Sequence, residues 1–341
     1  MLRRNWGLLV LILVVSSMVC LVSPANISFA EKRIRVGIVY DIGGKGDKSF
    51  NDSAYRGIQW AVRDELPIDY VEIEPGADAD REAGLRILAE QGFDLIIGVG
   101  FLFTDAIITV ANEFPDIKFA IVDGFIPDIP NVVSLLFREE QGSFLVGMIA
   151  GMKTETKKVG FVGGMDVPLI HKFEAGYIAG VKYACPDCEI LSNYAGDTPQ
   201  AFADPVKGKE LALAQYDKGV DVVYHASGLT GAGVFEAAIE KRKYVIGVDS
   251  NQNYMGYNKA TGENYGLTSM LKQVDVSVYG TIKATVNEEF QGGIRRFSLA
   301  DNGIGYAVDE YNQDLLTPEM LEKVEEAKQK IIAGEIKVPE E

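Results

Sequence analysis

Apolar residues in this chain fall in short blocks at regular intervals, and the segments between them carry apolar positions every three or four residues. That pattern predicts strands over 34–40, 70–74, 95–99 and 119–122, separated by helices over 54–65, 80–91 and 104–113. Short apolar strands between amphipathic helices indicate a parallel sheet covered on both faces. After a strand at 132–136 the alternation starts again, with helices over 141–151, 173–183, 205–216 and 231–241 and strands over 159–162, 189–193, 220–224 and 244–248. This second α/β lobe repeats the architecture of the first and not its sequence. A strand over 267–271, a helix over 275–290, a strand over 303–308 and a charged helix over 318–333 follow.

The helix after the second lobe is expected to return to the first, leaving the tail on the second. The resulting division is 31–138 with 272–296 as the N-terminal lobe, and 139–271 with 297–341 as the C-terminal lobe. Crossings near 136–139, 268–272 and 296–300 then form a hinge. Ligands of doubly wound sheets bind beyond the carboxyl ends of the strands, so two such lobes place the site in the cleft between them.

The loop after the first strand is Tyr40-Asp41-Ile42-Gly43-Gly44-Lys45-Gly46-Asp47-Lys48-Ser49-Phe50-Asn51. Its glycines permit a tight turn and close approach to a ligand, and Ser49, Asn51 or Asp52 is expected to cap a helix beginning near Ala54. Asp47, Ser49, Phe50 and Asn51 thus stand at the mouth of the sheet. The other strand ends add Gly98 to Phe101, Asp123-Gly124, Gly163 to Phe173, Tyr194 to Asp204, Ala226 to Thr230 and Asp249 to Asn251. Each has an ordinary structural explanation: Asp123 starts a turn, Phe173 packs in the core, Asp249 caps a segment. Together they gather aromatics, amides and carboxylates where a polar planar ligand would lie.

Residues 1–30 read as a leader. Arg3 and Arg4 precede an apolar run from Trp6 to Val22, and Ser28-Phe29-Ala30 offers a small-x-small cleavage signal. The expectation is a cleaved signal peptide and a periplasmic protein. Lipid attachment through Cys20 is not expected, because Val19 stands where a small residue is required. Removal of the leader leaves 31 basic residues minus 49 acidic ones, a net charge of −18 over about 310 residues. Such a surface argues against nucleic acid as a partner but not against an uncharged nucleoside. Cys185 and Cys188, three apart, read as a local disulfide in an oxidising compartment. A zinc site would need two further ligands, and only His171 and His225 are available beyond carboxylates.

Enzyme templates fit poorly. Gly98-Val99-Gly100 lacks the third glycine of a dinucleotide fingerprint, since position 103 is Phe. The 43–49 loop has Asp47 where a phosphate loop has glycine before its lysine. His225 and Ser227 offer a base and a hydroxyl two residues apart, with the expectation that they project to opposite faces. No serine stands in a GxSxG elbow.

Several segments, in order along the chain, resemble one family: the 40–51 loop, Phe119-Ala-Ile-Val-Asp-Gly124, Phe173-Glu-Ala-Gly-Tyr177, Asp204-Pro-Val-Lys-Gly-Lys-Glu210, Ala226-Ser-Gly-Leu-Thr-Gly231, Gly247-Val-Asp-Ser-Asn-Gln252 and Ser269-Met-Leu-Lys-Gln273. It is the basic membrane protein family, the purine-nucleoside-binding receptors of ABC importers. The resemblance implies a type I periplasmic-binding-protein fold and a purine (adenosine, guanosine or inosine) stacked between Phe50 and Phe202. It implies that Asp47, Asn51 and Asp123 face the base, that Asp249 and Lys272 take the ribose hydroxyls, and that Gly228 gives a backbone contact. It further implies a cofactor-free, non-catalytic receptor that delivers its ligand to permease subunits, and a monomer is expected. A sugar or autoinducer receptor of the same fold, or a nucleoside-cleaving enzyme, stands as the alternative.

Overall fold

The computed structural model describes residues 32–77 and 79–341, so the leader read at 1–30 and Cys20 lie outside the described residues. The first half alternates strand and helix: Ile34–Val39 (β1), Phe50–Arg63 (α1), Ile68–Ile73 (β2), Ala79–Glu90 (α2), Leu95–Val99 (β3), Thr104–Glu113 (α3), Lys118–Val122 (β4) and Val132–Phe137 (β5). The second half continues with Glu139–Lys153 (α4), Lys158–Met165 (β6), Pro168–Ala184 (α5), Glu189–Gly196 (β7), Pro205–Asp217 (α6), Val222–Ala226 (β8), Gly231–Lys241 (α7) and Tyr244–Asp249 (β9). A small hairpin, Tyr257–Asn258 (β10) with Glu263–Asn264 (β11), precedes Gly266–Lys272 (β12), Val274–Val286 (α8), Gly293–Phe297 (β13), Ile304–Tyr306 (β14) and Pro318–Ile332 (α9).

Two six-stranded sheets result, in the orders β13-β5-β4-β3-β1-β2 and β14-β12-β9-β8-β6-β7. The first is parallel throughout, and the second is parallel except for β14, which runs antiparallel to β12 at the edge. Val36, Ile38, Ile97 and Val99 fill one face of the first sheet while Val39, Ile96 and Ile121 fill the other, which is why these strands read as continuous apolar runs. Each such fully buried side chain contributes about 1.5–3 kcal/mol.

The chain passes between the sheets after Phe137, after Lys272 and after Phe297. Lys272 is the last residue of β12 in the second sheet, and Phe297 the last of β13 in the first. The strand β13, which the pattern did not predict, is mostly exposed and carries Arg295 and Arg296 between Ile294 and Phe297. Its apolar signal is too thin to register, and it forms by extending the sheet edge beside β5. Phe297 stacks on Phe137 at 5.1 Å, so two of the crossings are pinned together. Glycines in α5 bring it against α4: a Cβ on Gly176 would come 2.2 Å from the Glu140 carbonyl oxygen, and one on Gly180 2.0 Å from that of Phe144.

Several boundaries differ from the sequence reading. α1 starts at Phe50 and not near Ala54, α5 starts at Pro168, and β8 runs to Ala226, taking in His225. Proline at the first turn of α5 needs no N–H there, which a period count cannot register. Cys185 and Cys188 are joined in a disulfide beyond the last turn of α5. Among the described residues no helix is long and apolar enough to cross a membrane.

Candidate functional site

A cavity between the two sheets encloses about 560 Å³ not filled by atoms, part of it continuous with solvent. From the loops of the first sheet come Asp41, Ile42, Asp47, Phe50, Asn51, Gly100, Phe101 and Asp123. The second contributes Leu169, Ile170, Phe173, Phe202, Ala226, Ser227, Gly228, Val248, Asp249 and Lys272. Asp47, Phe50, Asn51, Phe101, Asp123, Phe173, Phe202, Gly228, Asp249 and Lys272 therefore converge as the sequence suggested, while Ser49 and strand-end residues such as Tyr194, Asp204 and Asn251 do not line the cavity. Ser49 lies one layer behind, where its hydroxyl donates to Asp249 Oδ2 at 2.6 Å.

The 40–51 loop is held by its own polar groups. Asp47 accepts from the backbone N–H groups of Ser49 and Asn51, each at 2.8 Å, and of Asp52 at 3.1 Å. The N-terminal N–H groups of α1 are thus capped by the Asp47 side chain and not by Ser49, Asn51 or Asp52, the three candidates of the sequence; Ser49 makes no side-chain cap bond. Burial pushes the Asp47 carboxyl up, and these three N–H groups restrain it to about 6. Asn51 is also engaged: its Oδ1 accepts from Asp41 N–H at 2.9 Å and its Nδ2 donates to Asp47 Oδ2 at 3.1 Å. These two side chains line the cavity while bracing the loop that presents Phe50.

Aromatic rings stand on both sides. Phe50 and Phe101 belong to the first sheet's loops, and Phe202 ends a short 3₁₀ turn, Pro199–Phe202, in the second. The rings of Phe101 and Phe202 meet edge-on across the cleft at 6.4 Å. Gly164 leaves room for the latter, since a Cβ there would fall 2.2 Å from its Cε1. Phe173 is inside α5 and 3 % exposed, so its core and cavity roles coincide.

The floor is charged. Lys272, 1 % exposed, places Nζ 2.6 Å from Asp123 Oδ2 and 3.0 Å from Glu139 Oε1. The same ammonium lies 5.3 Å from the ring centre of Phe50, 5.0 Å from that of Phe137 and 5.4 Å from that of Phe173. Glu139 was not among the sequence candidates. It opens α4 next to a crossing, and nothing in a Glu-Glu pair at a helix start separates a buried ligand of lysine from a solvated first turn. Burial opposes the Lys272 ammonium, but Asp123, Glu139 and Asp249 outweigh it and raise its pKa. Burial likewise pushes Asp123 up, with Lys272 pulling it down and Glu139 pushing it up again, and the net direction is upward. Burial raises Asp249 too, against Lys272 and the Ser49 hydroxyl. Asp123 lines the cavity, and its Oδ1 is buried with no hydrogen-bond partner among the described residues.

Asp123 and Asp249 both have positive φ, +66° and +63°, at corresponding ends of β4 and β9. Gly228, also at positive φ (+57°), exposes backbone to the cavity next to Ser227. The expectation that His225 and Ser227 project to opposite faces fails. Residues two apart in a strand share a face, and Ser227 Oγ lies 3.3 Å from His225 Nδ1. Further hydrogen bonds cross the cleft: Ser250 Oγ donates to the Ser49 carbonyl at 2.8 Å, Gln252 Nε2 to the Lys48 carbonyl at 3.1 Å, and Arg56 Nη1 to Ser250 Oγ at 3.0 Å.

Residues 34–341 match a family model described as Bmp, ABC transporter substrate-binding protein PnrA-like. The chain is 41% identical over 326 residues to the CD4+ T-cell-stimulating antigen of Listeria innocua, covering 91% of this chain and 89% of that one. It is 36% identical over 321 residues to the ABC transporter nucleoside-binding protein BmpA of Lactococcus lactis, with 90% and 89% covered. A solved solute-binding protein of an ABC transporter system from Aeropyrum pernix aligns with a TM-score of 0.79 at 33% identity, over 90% of this chain and 94% of that one. The chain belongs to the Bmp family of ABC transporter substrate-binding proteins and has the type I periplasmic-binding-protein fold.

Proposed function

We propose that this Bmp-family substrate-binding protein takes a purine nucleoside into the cleft, closes over it as a periplasmic monomer, and presents it to permease subunits without altering it. The observation that carries the reading is the composition of one cavity: aromatic rings from both sheets above a floor of Asp123, Asp249 and Lys272. Flat rings bind any purine through its faces, at on the order of 1–3 kcal/mol per stacked base. Carboxylates accept from ring N–H, amine or hydroxyl groups, and a lysine paired with them fixes their orientation. In this reading Phe50 and Phe202 hold the base, Asp123 Oδ1 accepts from its edge, and Asp249 with Lys272 serves the ribose. Support comes also from the Lactococcus relative, whose name states that it binds nucleosides.

The surplus of carboxylates fits a ligand without phosphate, since one ammonium already faces Asp123, Glu139 and Asp249. Calorimetry with inosine, guanosine and adenosine, coupled to chromatography for free base, is the test. Binding of at least one without turnover is expected. Release of free base would replace the receptor reading by an enzymatic one, and binding of a bare sugar in preference to all three would replace the ligand.

A further inference from the structure

Ser227 lines the cavity and is 1 % exposed. Behind it runs a file of buried polar groups whose polarity can be assigned from its far end. Ser227 Oγ lies 3.3 Å from His225 Nδ1, and His225 Nε2 lies 3.1 Å from Gln252 Oε1. The Gln252 amide is oriented by two backbone groups of fixed character. Val248 N–H donates to Oε1 at 2.9 Å, and the Lys48 carbonyl accepts from Nε2 at 3.1 Å. Reversing the amide would set NH₂ against N–H and oxygen against oxygen, so Oε1 is the acceptor.

His225 Nε2 must then carry the proton it shares with Oε1. A neutral imidazole has a single N–H, which leaves Nδ1 bare, and the hydrogen in the Ser227–His225 contact belongs to the serine. Burial keeps the ring neutral by lowering its pKa to about 4, against the opposing effect of the hydrogen bond that it donates to Gln252. The ring has little freedom to turn: Phe235 meets it edge-on at 5.8 Å, and a Cβ on Gly231 would come 2.0 Å from its Cε1. With its one proton committed to Nδ1, the Ser227 hydroxyl has only lone pairs left to offer the cavity.

We propose that Ser227 is a specificity-determining residue of the cleft, an obligate acceptor that takes a hydrogen bond from a ligand donor, either a ribose hydroxyl or a base N–H. The identity of that donor rests on the nucleoside reading; the polarity of the serine does not. A ligand presenting an acceptor or an O-methyl or N-methyl group at that point meets lone pairs with lone pairs, or a wall with bulk, and is rejected. His225 and Gln252 act through the serine and are positioning residues.

Two measurements test it. The chain has two histidines, so nitrogen-15 NMR of the imidazoles in ligand-free protein is readily assigned, with a His225→Gln variant identifying the signal. A protonated Nε2 and a bare Nδ1 are expected; an Nδ1–H tautomer or an imidazolium at neutral pH overturns the proposal. Calorimetry with inosine, its 2′-, 3′- and 5′-deoxy analogues and 1-methylinosine then compares wild type with Ser227→Ala. The variant should bind inosine ~10-fold more weakly. One analogue, lacking the matching donor, should already be weak against wild type and lose nothing further against the variant. Unchanged inosine affinity, or the same additional loss for every analogue, overturns the proposal. If wild type binds none of these compounds the nucleoside reading falls, and the NMR signature alone decides the polarity of Ser227.

Discussion

Lys272 Nζ, at the end of the second sheet's β12, lies 2.6 Å from Oδ2 of Asp123, at the end of the first sheet's β4, and both are buried. This pair ties the two sheets at the cavity floor, with Glu139 as its third member at 3.0 Å. Replacing Lys272 with Met leaves the buried carboxylates of Asp123 and Glu139 without the ammonium that neutralises them. The expected cost is about 3–5 kcal/mol of folding stability at neutral pH, shrinking in acid as the carboxylates protonate. Urea unfolding at pH 7 and pH 4.5 measures it, and equal losses at both values would locate the effect in packing instead.

Replacing Phe50 or Phe202 with Ala should each remove on the order of 1–3 kcal/mol of nucleoside binding. Leu should restore only part, since it returns apolar area without a flat face. Calorimetric affinities that survive both alanine variants would contradict stacking between these two rings.

Asp249→Asn keeps the size but loses the charge that strengthens a hydrogen bond to a ribose hydroxyl, and it should weaken inosine binding. Ser49→Ala, which removes the 2.6 Å bond that orients the Asp249 carboxylate, should weaken it less. If Asp249 meets the 2′-hydroxyl, its loss narrows the preference for inosine over 2′-deoxyinosine. Parallel losses for the two sugars would assign it to another hydroxyl.

Glu140, beside the first crossing, is 2 % exposed, and its Oε2 has no hydrogen-bond partner among the described residues. Burial raises its pKa to about 7, with Glu139 adding and Arg138 subtracting. A carboxyl raised in the folded state binds more protons there than when unfolded, so its contribution falls as pH rises from about 4.5 to 7. Glu140→Gln should therefore gain stability over wild type at pH 8, by about 1–3 kcal/mol, with the gain vanishing towards pH 4. Thermal unfolding of both proteins across that range is the measurement, and a gain independent of pH would show that ionisation is not its source.

Hydrogen bonds that cross the cleft among the described residues include Ser49 to Asp249, Ser250 to Ser49, Gln252 to Lys48, Arg56 to Ser250 and Lys272 to Asp123, and an opening of the cleft would break them. A ligand held from both sides shifts the balance towards closure by its differential affinity for the closed form. Small-angle scattering should show a smaller radius of gyration with nucleoside than in protein shown to be ligand-free. Arg56→Ala, outside the cavity, should favour the open form and weaken apparent affinity. Identical scattering curves with and without ligand would count against a hinge.

The sequence by itself determined the two-sheet architecture, because strands buried on both faces need short apolar runs, and those over 34–40 (interrupted only at Arg35), 95–99 and 244–248 alternate with amphipathic helical segments. It also determined where a site would lie, since the strand ends hold the polar and aromatic residues that packing does not need. Three things were decided only by tertiary structure. Helix α1 begins at Phe50 because the Asp47 carboxylate folds back onto its N–H groups, a contact made by loop conformation and not by spacing. Glu139 becomes a partner of Lys272 although 133 residues separate them in the chain, because two crossings converge on the cavity floor. Ser227 acquires a fixed polarity from Val248, Lys48, Gln252 and His225, four groups from both sides of the cleft. Hydrogen-bond direction is a property of the closed network, and no local pattern in the chain encodes it.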